Sequence, residues 1–171
     1  MRALACTAMV GVAFAGCGGA GGAKEGTPSK SSTRAQAAPK PLKPTGALAH
    51  KPKVKVPSGP APSTLQVKDI IKGKGPAAKP GDQLSVQYVG VLYKNGKEFD
   101  SSWSRNAQPF AFQLGAGQVI PGWDKGVKGM RVGGRRELII PARLAYGPQG
   151  QPPTIPPDAP LLFVIDLAGI S

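Results

Sequence analysis

A single histidine, His50, and two cysteines, Cys6 and Cys17, are all that the 171 residues offer as strong nucleophile, proton shuttle or soft metal ligand. All three lie in the first third of the chain. The rest therefore lacks the parts for a His/Cys zinc site, a Ser-His-Asp triad or a Cys-His pair. No GxxxxGK[ST] loop is present to cradle phosphates either. Chemistry in that region is expected to proceed without metal, cofactor or covalent intermediate. What it has instead is rings: nine of the ten aromatic residues fall between Tyr88 and Phe163.

The same unevenness divides the chain. Residues 18–63 contain no aromatic but eight prolines and seven glycines. Such a stretch cannot bury enough apolar surface to offset chain entropy, and is expected to be a disordered tether. Only residues 64–171 can build a core, and about 108 residues suffice for one domain.

Within that part, Gln83–Tyr93 alternates, with Leu84, Val86, Tyr88 and Leu92 on one face, which predicts a strand. Asn95-Gly96 predicts a tight hairpin turn and a returning strand through Phe99. Phe110–Leu114, Arg135–Ile140 (stopped by Pro141) and Leu161–Leu167 read as further strands, the last of them central. Ile120–Val127 is the one helical candidate. Pro121 suits a first helical position, and Trp123 and Val127, four apart, share a face. Together these predict an α+β fold, a five-stranded antiparallel sheet half-wrapped around one short helix. Phe112 reads as core, Tyr93 as outward sheet packing, and Arg131, Arg135 and Arg136 as a solvated face.

The motifs Tyr88-x-Gly90, Gly96-Lys97-x-Phe99-Asp100-Ser101-Ser102, Pro109-Phe110-x-Phe112, Gly117-Gln118-Val119-Ile120-x-Gly122-Trp123, Ala145-Tyr146-Gly147 and Ile155-Pro156-Pro157 succeed one another in order. In this succession residues 64–171 resemble the FKBP-type peptidyl-prolyl cis-trans isomerases. The resemblance implies an apolar pocket between sheet and helix, lined by Tyr88, Phe99, Phe110, Trp123 (the floor), Tyr146 and Phe163. Val119 and Ile120 match its aliphatic wall. Asp100 matches a polar rim residue, braced by Arg105, and the loop from Tyr146 to Ile155 matches one that overhangs the site, with Arg105 and Ile155 expected among the substrate-binding residues. By the same resemblance Tyr146 and the Ile120 amide hold carbonyls flanking the proline, while Tyr88 and Asp100 set the pocket's polarity. Gln118 and Gln151 stand where better-known relatives carry an acid and a histidine, and Pro148, Pro152 and Pro153 crowd the loop. These departures bear on substrate preference and on affinity for the macrolides tacrolimus and rapamycin.

That activity needs none of the missing chemistry. Rotation about a peptide bond crosses roughly 18–20 kcal/mol because resonance is lost. The twisted bond is less polar than the planar one, so a dry pocket favours it where water does not. About 7–8 kcal/mol of such preference gives roughly a 10⁵–10⁶-fold acceleration. A second reading stays open: a binding or chaperone module that holds proline-containing chains with little turnover.

Upstream, Met1-Arg2 precedes an apolar run from Ala3 to Phe14, then Ala15-Gly16-Cys17. The run is too short to span a bilayer and has the length of a signal h-region. Residues 1–16 resemble a bacterial lipoprotein signal, with Cys17 as the lipidated residue; an ordinary secretory signal is the alternative. A diacylated Cys17 would hold the chain on a membrane outside the cytoplasm. Over residues 1–63 nine basic side chains face only Glu25. With no aromatic for base stacking and no arginine cluster, this basicity suits a spacer near an anionic surface better than a nucleic-acid site. The expected partners are Xaa-Pro segments of exported polypeptides, and the expected state is a monomer.

Overall fold

The structure, a computed structural model, describes residues 46–171, all within one structural unit. The expected signal (1–16), Cys17 and residues 18–45 of the expected tether lie outside the described residues. The alternation of β2 (Gln83–Leu92) organises the sheet. It turns Leu84, Val86, Tyr88 and Leu92 into the main core, and Val89 and Val91, with Tyr93 beyond the strand's end, to the opposite face. β6 (Leu161–Ile170) lies beside it and alternates likewise: Leu161, Phe163, Ile165 and Leu167 face the main core, Leu162 and Val164 the other side. Beyond β6 come β5 (Arg135–Ile140) and then β1 (Gln66–Ile71) at the edge, every pairing antiparallel.

On its far side β2 shares one lane between two short strands. β3 (Glu98–Ser101) pairs with Val89–Val91, and β4 (Phe110–Gln113) with Gln83–Val86. The sheet thus has six strands rather than the five expected. The addition is β1, whose residues are exposed except for the partly covered Ile71, so its sequence carries no burial alternation to reveal it. The β2–β3 connection is also looser than a two-residue turn. Gly96, at φ 70°, donates its N–H to the Leu92 carbonyl at 2.8 Å, closing a wider loop.

Helix α1 (Pro121–Val127) begins with proline as expected and lies close on β5. Gly122 and Gly126 make that closeness possible: a Cβ at the first would collide with Ile140, and one at the second would stand 2.7 Å from Leu138. Trp123 and Val127 then reach the core beside them.

Two further expectations are corrected around the sheet. Arg135 and Arg136 are each only 9% exposed rather than solvated, although Arg131 is exposed. Arg135 makes two bonds to the buried Asp166, at 2.6 and 2.7 Å, and a third to the His50 carbonyl at 3.1 Å. Arg136, pointing the other way, pairs with Asp69 at 2.5 Å and donates to the Gly126 and Lys128 carbonyls, capping the end of α1.

The second correction concerns the segment ahead of residue 64. Residues 48–63, read as tether, lie on the sheet. Leu48 and Pro52 are buried, and Val54, Val56 and Ala61 pack on Val89, Val91, Tyr93, Ile139, Leu162 and Val164. Lys51, Lys53 and Lys55 point outward, and Lys51 pairs with Glu98 at 2.7 Å. The physical reason is alternation: apolar side chains at every second position make a strap when an apolar surface already waits for them.

Candidate active site

Between the concave face of the sheet and α1 lies a cavity of about 470 Å³, lined by Tyr88, Phe99, Asp100, Phe110, Gln118, Val119, Ile120, Trp123, Tyr146 and Phe163. Asp100 is the one charged residue in that lining. Trp123 stands at the centre of the ring cluster. It meets Tyr88 at 5.1 Å and 82°, Phe163 at 5.3 Å and 88°, and Phe110 at 6.2 Å and 79°, all edge to face. Phe99 packs edge-on to Phe163 at 5.4 Å. Such pairs add to the stability of burial and fix ring directions. The Trp123 indole N–H is buried and meets no hydrogen-bond acceptor among the described residues.

Local sequence explains the convergence. Tyr88 and Phe163 come from adjacent central strands on the same face, and Trp123 from the helix pressed against them. Gly90, next after Tyr88 on that face, leaves room for two rings: a Cβ there would lie 2.7 Å from both Phe99 and Phe163. Phe112 is core, as expected, 1% exposed and packed behind Phe110 and Trp123.

At the rim, Asp100 accepts a hydrogen bond from the Tyr88 hydroxyl and pairs with Arg105. Arg105 also donates to the Tyr88 oxygen at 2.6 Å, and Ser101 N–H to Asp100 at 2.8 Å. Burial, reinforced by the bond to Asp100, pushes the Tyr88 phenol up to about 12. Its bonds to Tyr88 and Asp100 hold the Arg105 guanidinium still more firmly charged. Burial, then the charge of Asp100, raises the Tyr146 phenol as well. Both phenols therefore remain O–H donors at any physiological pH. Among the described residues no hydrogen bond engages the Tyr146 hydroxyl or the Ile120 N–H, leaving two donors at the pocket open to a guest.

Of the expected pocket residues, Tyr88, Phe99, Asp100, Phe110, Val119, Ile120, Trp123, Tyr146 and Phe163 all come together here. Two do not line it. Arg105 stands behind Asp100 as its brace. Ile155 is a core residue, 2% exposed, that fastens the base of the overhanging loop by paired bonds with Gln151 at 2.8 and 2.9 Å. Gln118, in the sequence a departure from the family pattern, is also part of the wall. Its side-chain carbonyl accepts from the Gln113 N–H at 3.0 Å, which turns the side chain along the rim. Among the described residues no cluster of His, Cys, Asp and Glu is arranged to hold a metal ion.

Comparison with known proteins agrees with this geometry. Residues 75–168 match the family model described as FKBP-type peptidyl-prolyl cis-trans isomerase. An FK506-binding protein of Streptomyces anulatus is 56% identical over 121 residues, 70% of this chain and 97% of that one. The peptidyl-prolyl cis-trans isomerase FPR2 of Saccharomyces cerevisiae is 53% identical over 93 residues, covering 54% of this chain and 68% of its own. Among solved structures, that of AtFKBP13 superposes with a TM-score of 0.59 at 42% identity, over 65% of this chain and 96% of the other. Matches of this extent, over the residues that build the ring-lined cavity, show that the chain belongs to the FKBP-type peptidyl-prolyl cis-trans isomerase family.

Proposed function

We propose that this domain accelerates rotation about Xaa-Pro bonds in exported polypeptides, and does so by stabilising a twisted amide without covalent chemistry. The observation that carries the reading is the cavity: six rings and two aliphatic side chains around a space with a single charged group at its rim. A proline ring entering that space leaves water behind. The planar amide, with its larger dipole, loses more hydration than the twisted one, so the barrier falls. The two unengaged donors, Tyr146 O–H and Ile120 N–H, take the carbonyls on either side of the proline and hold the chain while one flank turns. Tyr88, Asp100 and Arg105 form a closed polar group at the edge. Their mutual bonds keep the carboxylate from attracting water into the cavity.

The macrolide tacrolimus is proposed to compete for the same space, as the names of the FK506-binding relatives suggest. Residues 1–16 are proposed as an export signal and Cys17 as the lipid-bearing residue, which would place the domain, as a monomer, beside newly exported chains.

The test is a protease-coupled or NMR exchange measurement on short Xaa-Pro peptides with the full chain. Acceleration that tacrolimus abolishes is the expected result. Peptide binding without faster exchange would sink the isomerase reading and leave a binding or chaperone module.

A further inference from the structure

Behind the pocket, one buried side chain fastens both ends of the loop that carries Arg105. Gln87 lies on the outer face of β2 and is 2% exposed. Its Nε2 donates to the Ala107 carbonyl at 2.5 Å, and its Oε1 accepts from the Ser102 hydroxyl. The Ser102 oxygen in turn accepts the Tyr88 N–H at 2.9 Å. Only the amide N–H can meet a carbonyl, so the orientation of the amide is determined.

Between these two anchors the chain makes consecutive turns, Arg105 N–H to Ser102 carbonyl at 3.1 Å and Gln108 N–H to Arg105 carbonyl at 3.0 Å. The turns leave Asn106 and Ala107 at φ 55° and 52°, a left-handed region that asparagine tolerates but alanine enters at a cost. Such a conformation persists only where something ties it down. Arg105 is a weak tie, since its side chain is 52% exposed and exposed ion pairs contribute little. Gln87, buried and bonded to the loop at both ends, is the stronger one, beside the packing of Trp103 on the outer core.

We propose that Gln87 is a positioning residue for this site, acting through the Ser102–Ala107 loop to keep Arg105 on Asp100 and Tyr88. This rests on the pocket being the isomerase site.

The full chain is compared with Gln87→Leu, Gln87→Glu, Arg105→Ala and the double variant Gln87→Leu/Arg105→Ala. The expected result is a loss in kcat/KM of about 5- to 10-fold for Gln87→Leu and for Arg105→Ala. The double variant should lose no more than the worse single one, because both remove the same brace. Independent losses that multiply would overturn the proposal, as would full activity in Gln87→Leu. If Gln87→Leu does not fold, Ser102→Ala removes one anchor and enters the same cycle.

Gln87→Glu adds a readout that mere destabilisation does not give. As a carboxylate it sets oxygen against the Ala107 carbonyl, whereas protonated it regains the donor. Burial raises its pKa, and so does Asp166, its partner across β6, although Arg135 neutralises much of that charge and Arg105 lies in the loop above. Its rate relative to wild type should therefore recover as pH falls from about 7 to 5; a constant ratio counts against the proposal. Activity is not needed for the last arm. Slow exchange of the Gln87 side-chain N–H protons, with Arg105 and Ala107 amide resonances that move in Gln87→Leu, supports the clamp even if the wild type accelerates nothing. Unmoved resonances refute it.

Discussion

At the scale of single residues, the pocket separates groups that build from groups that touch a guest. Tyr146 is the clearest of the second kind, because its hydroxyl serves no hydrogen bond among the described residues. Tyr146→Phe should leave stability unchanged while lowering kcat/KM about 2- to 10-fold, the value of one hydrogen bond of ~0.5–1.4 kcal/mol. An unchanged rate would remove Tyr146 from the mechanism, and a lowered Tm would make it structural. Tyr88 differs, since its phenol is held at about 12 by burial and Asp100. Its folded value exceeds the unfolded one near 10, so the neutral phenol stabilises the fold in full below pH 10. That contribution, on the order of 2 kcal/mol, fades as pH climbs from 10 towards 12. Absorbance of tyrosinate near 295 nm checks this: the latest step of the native titration should vanish in Tyr88→Phe. The rings are legible in the sequence because their motifs keep order and spacing. The places of Ile155 and Gln118 are not, because which side of a loop faces a cavity depends on closure of the loop, which spacing alone does not carry.

Elements tell a similar story about what a linear pattern can reveal. β2 and β6 alternate because both faces are sorted, and they are readable for that reason. Arg135 and Arg136 look like surface charge until β6 and β1 bring Asp166 and Asp69 opposite them. Pairing of that kind is a property of register, invisible along one strand. The strap before residue 64 is hidden because composition averages its alternating valines with the prolines and lysines around them. Its role can be measured. Val54→Asp/Val56→Asp should peel the strap from Val89, Val91, Tyr93, Ile139, Leu162 and Val164, costing about 2–3 kcal/mol. Tm should fall by several degrees, and trypsin should gain access to Lys53 and Lys55. The rate per folded molecule should hold, since these residues lie on the face away from the pocket. Equal Tm and an unaltered cleavage pattern would show the contact to be idle; a lost rate at full stability would show it to reach the site.

For the whole molecule, the proposed membrane location can rest on either of two forces. One is the proposed acyl anchor on Cys17. The other is charge: the chain carries a net +13, and no acidic residue interrupts the stretch between Glu25 and Asp69. Each lysine or arginine close to an anionic leaflet is worth about 1 kcal/mol, enough together to retain a protein at low salt. That attraction decays within a Debye length, ~3 Å at 1 M salt, whereas an acyl chain in hydrocarbon is indifferent to salt. Membranes from cells expressing the full chain should thus keep it through a 1 M salt wash and yield it to detergent. Cys17→Ser should appear in the soluble fraction of the extracytoplasmic compartment, or unprocessed. Salt-releasable wild type would mean that charge alone holds the domain to the surface, and Cys17→Ser that still resists salt would point to an uncleaved apolar segment at residues 3–14. Either result overturns the lipid anchor while leaving the ring-lined pocket, and the isomerase family to which the chain belongs, untouched.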